Sequence, residues 1–368
     1  MNPSSFPVSP YPAELSYRHL RRMIQVVRLL HKVSENAAYR CYLNSVLPVS
    51  ARFDPGHDAV MMGYDFHLTE AGPKLIEVNT NAGGIWYASL CAHPEGTEFA
   101  GRLGSKLLNT FCDDYARYRS DPAARIKTLV ILDENPVVQP LYPEMQAFAA
   151  LFKKAGIEAL IADPDAVEAQ DGGLYLDGKP VEMIYNRHCD FYLESPAVEK
   201  IRAAYLKGRV CLSPNPRAYG LLADKRRMML WCQPAIMRAF GLSESELARV
   251  AATIPETRLL AALTPEDAWR TRKQWVFKPD TGYASRGVYV GDKLTKHKLA
   301  ELVPDDTLIQ RRILPSLTLG ENQQAFKTDY RLFVYRDRIL GVAARIYQGQ
   351  VTNLRTENGG FAKVRLRA

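Results

Sequence analysis

Cysteine is scarce in this 368-residue chain. Its six cysteines, Cys41, Cys91, Cys112, Cys189, Cys211 and Cys232, are scattered and form no Cys-x-x-Cys pair. That pattern reads as reduced thiols in a cytosol. No stretch approaches the roughly 18 consecutive apolar residues of a membrane helix, so no membrane span is expected. The opening Met1-Asn2-Pro3-Ser4-Ser5-Phe6-Pro7 has neither a basic n-region nor an apolar h-region. No signal peptide is therefore expected, and the expected location is cytoplasmic. Two familiar nucleotide signatures are also missing: the Gly-x-x-x-x-Gly-Lys-Ser/Thr phosphate loop and the Rossmann glycine pattern. There is no zinc-finger spacing, RNA-binding aromatic motif, long basic tract, internal repeat or low-complexity segment. The net charge of +8 therefore points to small anionic ligands such as nucleotides, phosphates or carboxylates, and no nucleic-acid partner is expected.

What is present begins with size. A chain of this length can bury a large core in two or three domains. Its 47% hydrophobic and 24% charged residues are ordinary for a globular protein. The most informative cluster comes early. Gly63-Tyr64-Asp65-Phe66-His67-Leu68, a turn at Glu70-Ala71-Gly72-Pro73, and Leu75-Ile76-Glu77-Val78-Asn79 read as a β-hairpin, because apolar and polar residues alternate on both arms. Alternation puts Glu77 and Asn79 on one face, with Asp65 beside them on the partner strand. Two carboxylates and an amide oxygen form a hard donor set suited to Mg²⁺ with substrate phosphates.

Helix is expected over 13–45 and 97–119. A β-α-β unit follows: a strand at 127–132, a helix from Pro143 to Ala155, and a strand at 157–161. Such units imply a parallel sheet with ligands at the carboxyl ends of its strands. A small hairpin spans 173–180, and the strand Met183-Ile184-Tyr185-Asn186 stops at Arg187. Beyond residue 212 a helical stretch from Leu221 to Phe240 carries Asp224-Lys225. Strands are expected at 275–279, 287–290, 308–310 and 330–335.

Several residues here could carry chemistry, each with an ordinary alternative. Lys278, in Trp275-Val276-Phe277-Lys278-Pro279, can neutralise phosphate from a strand end, although a Lys-Pro after an apolar strand is commonly a surface turn. The following loop holds Gly282, Ser285 and Gly287, whose backbone N–H groups could approach phosphate oxygens. Lys225 is a second phosphate-reaching lysine or an exposed helix lysine. Gln310, where Leu308-Ile309-Gln310 turns polar, could face an adenine or mark a plain strand exit. Arg331 and Arg345 lie on paired strands, a placement that suits phosphate or carboxylate recognition.

Taken in order, these pieces resemble the ATP-grasp superfamily, which joins a carboxylate to an amine through an acyl phosphate. In most members the Asp…Glu-x-Asn metal hairpin closes the sequence, whereas here it stands at 63–81. That order resembles the circularly permuted branch, most closely eukaryotic-type glutathione synthetase. The resemblance implies an α/β fold with α+β elements, a circularly permuted ATP-grasp with an inserted parallel-sheet substrate domain. It implies divisions at 1–122, 123–215 and 216–368. It also implies ATP and Mg²⁺ as cofactors, with Lys225, Lys278, Gly282, Ser285, Gly287 and Gln310 on the nucleotide and Asp65, Glu77 and Asn79 on the metal. Arg331, Arg345 and Arg355 are the expected catalytic arginines, and Arg187, Arg355 and Asn81 the substrate contacts. The partners implied are small-molecule carboxylate and amine substrates, and a homodimer is expected on the resemblance alone. Departures stand at Asp280-Thr281-Gly282-Tyr283-Ala284-Ser285, in place of the family's glycine triplet, and at Ala82, Gly84 and Glu357. The expected activity is an ADP-forming carboxylate–amine ligase. A small-molecule kinase and a non-catalytic ATP-binding module are the alternatives.

Overall fold

The computed structural model describes residues 8–92, 97–279, 287–353 and 356–368. Its central antiparallel sheet draws strands from both halves of the chain. In spatial order these are Gly360–Ala362, Arg338–Tyr347, Ala325–Tyr335, Met62–Thr69 and Gly72–Asn79, with Ser316–Leu319 also pairing with Ala325–Tyr335. The early hairpin is thus paired to a strand more than 250 residues later (|i−j| = 266 for Asp65 and Arg331).

Strand alternation decides what each face carries. Tyr64, Phe66, Leu332 and Val334 enter one core, with Met23, Val27 and Leu30 of the helix Tyr17–Ser34. Phe333 and Tyr335 enter a second, with Leu107 and Phe111 of the helix Thr97–Arg119 and Phe148 and Phe152 of the helix Tyr142–Lys154. Each such side chain removed from water contributes about 1.5–3 kcal/mol. Asp329 and Arg331 share the parity of Phe333, so one strand puts an acid and a base on the face whose far end is core.

The hairpin carries a bulge. Asp65 pairs with Glu77, but Phe66 pairs with Leu75, leaving Ile76 as the extra residue. The bulge lets Leu75 and Val78, three apart, both reach the first core, which strict alternation would forbid.

The expected parallel sheet is present. Cys211–Ser213, Met183–Asn186, Thr128–Leu132 and Glu158–Ala162 lie side by side, all parallel. Asp133 and Arg187 follow the carboxyl ends of its two central strands. A smaller antiparallel sheet orders Thr257–Leu259, Thr307–Arg311, Trp275–Pro279 and Tyr289–Val290. None of the described helices is long and apolar enough to cross a membrane.

Two helical expectations need correction. Residues 13–45 begin as the strand Ala13–Ser16, which pairs in parallel with Val364–Arg367. The helix then breaks at Glu35–Asn36, where the Asn36 side chain accepts from the N–H groups of Ala38 and Tyr39 and starts a new helix. The stretch 221–240 is likewise broken into Tyr219–Ala223, Arg227–Trp231 and Pro234–Ala239. The Asp224 carboxylate accepts from the Arg226 N–H at 2.8 Å, and Pro234 has no N–H to give.

Candidate active site

The hairpin, the broken helix around residue 224 and the small antiparallel sheet border a narrow cleft. Glu77, Lys225, Trp231, Thr257, Lys278 and Gln310 are among the side chains lining it. The bulge helps to build it. With Ile76 outside the ladder, its carbonyl accepts from Lys278 Nζ at 3.0 Å, and Gln310 Oε1 accepts from the same ammonium at 2.8 Å. Burial lowers the Lys278 pKa and the nearby Lys225 adds to that, while Glu77 and Asp65 oppose. Lys225 approaches from the other wall, where its Nζ donates to the Pro279 carbonyl at 3.4 Å. Asp224 holds that turn by accepting from the Tyr192 hydroxyl at 2.6 Å and from Arg227 at 3.3 Å. The two expected phosphate lysines therefore share one cleft with an expected metal carboxylate and with Gln310.

The charged face of the central sheet adjoins this cleft through Glu77. Register alone pairs its charges: Asp65 with Arg331, Asp329 with Arg345, and Asp65 with Glu77. Arg331 donates from Nε and Nη2 to the two Asp65 oxygens, both at 2.6 Å, and from Nη1 to the Gly83 carbonyl at 3.3 Å. Arg345 donates to Asp329 Oδ1 at 2.7 Å and to Asp65 Oδ2 at 2.9 Å. Asp329 also accepts from the Thr352 hydroxyl. Burial alone would raise the Asp65 pKa, but the two guanidinium groups outweigh it and hold the carboxyl well below its usual range. Burial likewise opposes the Arg345 charge, and Asp329 and Asp65 overcome it to raise that pKa.

The metal expectation divides on this geometry. Asn79 donates to Glu77 Oε1 at 3.2 Å and to Asp65 Oδ2 at 3.3 Å, so the three side chains do meet. Glu77 and Asn79 Oδ1 fit a Mg²⁺ ion that takes most of its remaining ligands from phosphates and water. Asp65 does not fit, because guanidinium groups already occupy both of its oxygens. Among the described residues no group of three His, Cys, Asp or Glu side chains is arranged to hold a metal.

Arg187 and Asn81 meet as expected, though their contacts run through backbone. Asn81 Nδ2 donates to the Arg187 carbonyl at 2.7 Å, and Arg187 Nη1 donates to the carbonyls of Asn81 and Ala82 at 3.1 and 3.2 Å. Two acids that sequence reasoning missed stand near this arginine. Burial raises the Asp133 pKa to about 6 despite Arg187. Burial also raises that of Glu144, which accepts from the N–H groups of Gly84 and Trp86 at 2.7 and 3.0 Å. Asp329 was missed too, although the spacing Asp329-x-Arg331 on a strand was a usable signal. Gly287 has φ +77°, which favours glycine. Gly282, Ser285 and Arg355 lie outside the described residues.

The sequence matches no protein-family model and no curated protein sequence. Solved structures do match. A glutathione synthetase-like effector from Globodera pallida, in its apo form, aligns over 98% of this chain and 90% of its own, with a TM-score of 0.61 and 10% identity. A structure from Methylobacillus flagellatus KT, provisionally named a gamma-glutamylcysteine synthetase, aligns over 94% and 87%, with a TM-score of 0.54 and 11% identity. At such identities the likeness is one of fold. With the carboxylate–amide hairpin preceding every other element of the site, that fold is a circularly permuted ATP-grasp.

Proposed function

We propose that this chain is an ATP- and Mg²⁺-dependent carboxylate–amine ligase that forms an amide through an acyl phosphate. The observation that carries this reading is the convergence of Lys225, Lys278, Glu77 and Gln310 on one cleft beside a buried arginine pair, within a permuted ATP-grasp fold. Lys225 and Lys278 neutralise the α- and β-phosphates, and Gln310 and Thr257 meet the base. Glu77 and Asn79 would hold Mg²⁺, which would supply positive charge to the phosphates during transfer.

The substrate carboxylate attacks the γ-phosphorus. The bond from the bridging oxygen to that phosphorus breaks, and ADP leaves with the electron pair. An amine then attacks the acyl carbon, and phosphate leaves as the nitrogen gives up a proton. Arg187 and Arg355 orient substrate carboxylates, with Asn81 holding Arg187 in place. Positioning and electrostatics supply the acceleration in such a scheme. The acid and amine are small molecules.

Lys278→Met tests the nucleotide assignment. It removes a charge-assisted contact worth about 1.5–3 kcal/mol, so calorimetry should show Mg-ATP binding weakened by roughly 10- to 150-fold. Unchanged binding would place the nucleotide elsewhere. An ¹⁸O-labelled substrate carboxylate should pass one label into phosphate, whereas label retained wholly in the organic product would rule out the acyl phosphate.

A further inference from the structure

We propose that Asp65 and Asp329 are positioning residues that aim the Arg331–Arg345 guanidinium pair, and that the metal is held without Asp65. The inference rests on the ligase reading above and assigns roles within the same site.

Asp65 is 2% exposed and accepts four contacts: two from Arg331, one from Arg345 and one from the Asn79 amide. The Arg331 fork is bidentate at 2.6 Å on both arms, the strongest arrangement a carboxylate and guanidinium can make. A metal on Asp65 would displace that fork and leave a buried guanidinium uncompensated, a costly exchange. The backbone is shaped for the fork as well. A Cβ at Gly63 would lie 3.1 Å from Arg331 Nε and 2.8 Å from the Ala82 Cβ, so only glycine leaves room for the guanidinium where it is.

The two arginines differ in what remains available. All three Arg331 nitrogens are engaged, the last on the Gly83 carbonyl. Arg331 therefore ties the hairpin to the turn that follows it. Arg345 uses Nε on Asp329 and Nη2 on Asp65, and its Nη1 has no hydrogen-bond partner among the described residues. Asp65 and Asp329 balance the two guanidinium groups, and the adjoining Glu77 adds one negative charge. Arg345 thus offers a directed donor to an anion, and the net positive charge comes from Lys225 and Lys278. Asp329 further joins this donor to Thr352, three residues before Arg355.

The test uses Mn²⁺ as the metal probe, titrated in the presence of ATP and followed by electron paramagnetic resonance. Wild type, D65N, E77Q and D329N are compared, with kcat and the KM for ATP measured on each. E77Q should weaken Mn²⁺ binding at least tenfold. D65N should leave it within about twofold while kcat falls roughly 100-fold with little change in KM. D65N weakening Mn²⁺ as much as E77Q would overturn the proposal. Should D65N fail to fold, D329N carries the test: kcat falls with metal affinity kept, and an unchanged kcat overturns the positioning role. If wild type shows no ATP-dependent Mn²⁺ binding, the ligase reading fails and takes this one with it. That result is distinct from a defect confined to D65N.

Discussion

At the scale of single residues, the turn after the hairpin shows how close packing specifies a side chain. Gly84 has φ +98°, and a Cβ there would lie 1.9 Å from the Phe361 ring. Gly84→Ala combines a left-handed backbone penalty with overpacking, together about 3 kcal/mol, and urea unfolding should show that loss. The sequence displays Gly83-Gly84 openly, but nothing near them signals Phe361. Asp65 presents the same difficulty. A carboxylate on a hairpin beside Glu-x-Asn reads identically whether its partner is a cation or a guanidinium. The deciding side chains, Arg331 and Arg345, are 266 and 280 residues away. Lys278 could be singled out in the sequence as a strand-end lysine, whereas the bulge carbonyl of Ile76 that accepts from it could not, because a bulge appears only once the pairing register is known.

At the scale of elements, a second buried cluster joins four segments, and none of His57, Asp114, Ser213 and Tyr335 is among the residues lining the cleft. Asp114, on the helix Thr97–Arg119, accepts from the Ser213 hydroxyl at 2.6 Å and the Tyr335 hydroxyl at 2.8 Å, and it lies 3.3 Å from His57 Nδ1. Burial disfavours charge on His57, yet Cys211 and Asp114 outweigh it and raise its pKa well above 6.5. Burial also opposes the Asp114 charge, but His57, Ser213 and Tyr335 lower its pKa below 3.8.

The His57 contribution to stability is therefore whole below pH 6.5 and lost as pH rises through the higher folded value. The Asp114 contribution is present above pH 3.8 and lost as pH falls through the lower folded value. Between these limits the ion pair contributes fully. His57→Gln should lower stability by about 3 kcal/mol at pH 6 and flatten the alkaline decline. A melting series over pH 6 to 10 checks both effects, and an unchanged alkaline slope would remove His57 as its source. Elements with strong periodicity or unbroken apolar runs, such as 97–119, 128–132 and the helix after residue 142, were readable. The breaks at Asn36 and Asp224 were not, because a polar side chain that caps a helix and one on its solvent face look alike in sequence.

At the scale of the whole molecule, the order of elements was the most legible property. The permuted arrangement follows from the hairpin's early place, and the structure explains why it is tolerated: antiparallel pairing of 62–69 with 325–335 needs no short connection. Strand Ala13–Ser16 against Val364–Arg367 then ties the first described segment to the last. What the chain acts on was not legible, since a few side chains on one scaffold decide it. Ligand linkage offers a check on the entire fold. Mg-ATP at 100 times its Kd should stabilise the protein by about 2.7 kcal/mol, visible as a higher melting temperature, and Lys278→Met should cut that gain to roughly 0.3–1.4 kcal/mol at the same concentration.

The proposed reaction joins an acid to an amine at the expense of ATP. The most direct measurement is product analysis by mass spectrometry after incubating the purified protein with Mg-ATP and a pool of amino acids, small peptides and polyamines. The expected products are ADP and an adduct of two pool members, lighter by one water than their sum. ADP with a phosphorylated pool member and no adduct would contradict that reaction and make the protein a kinase.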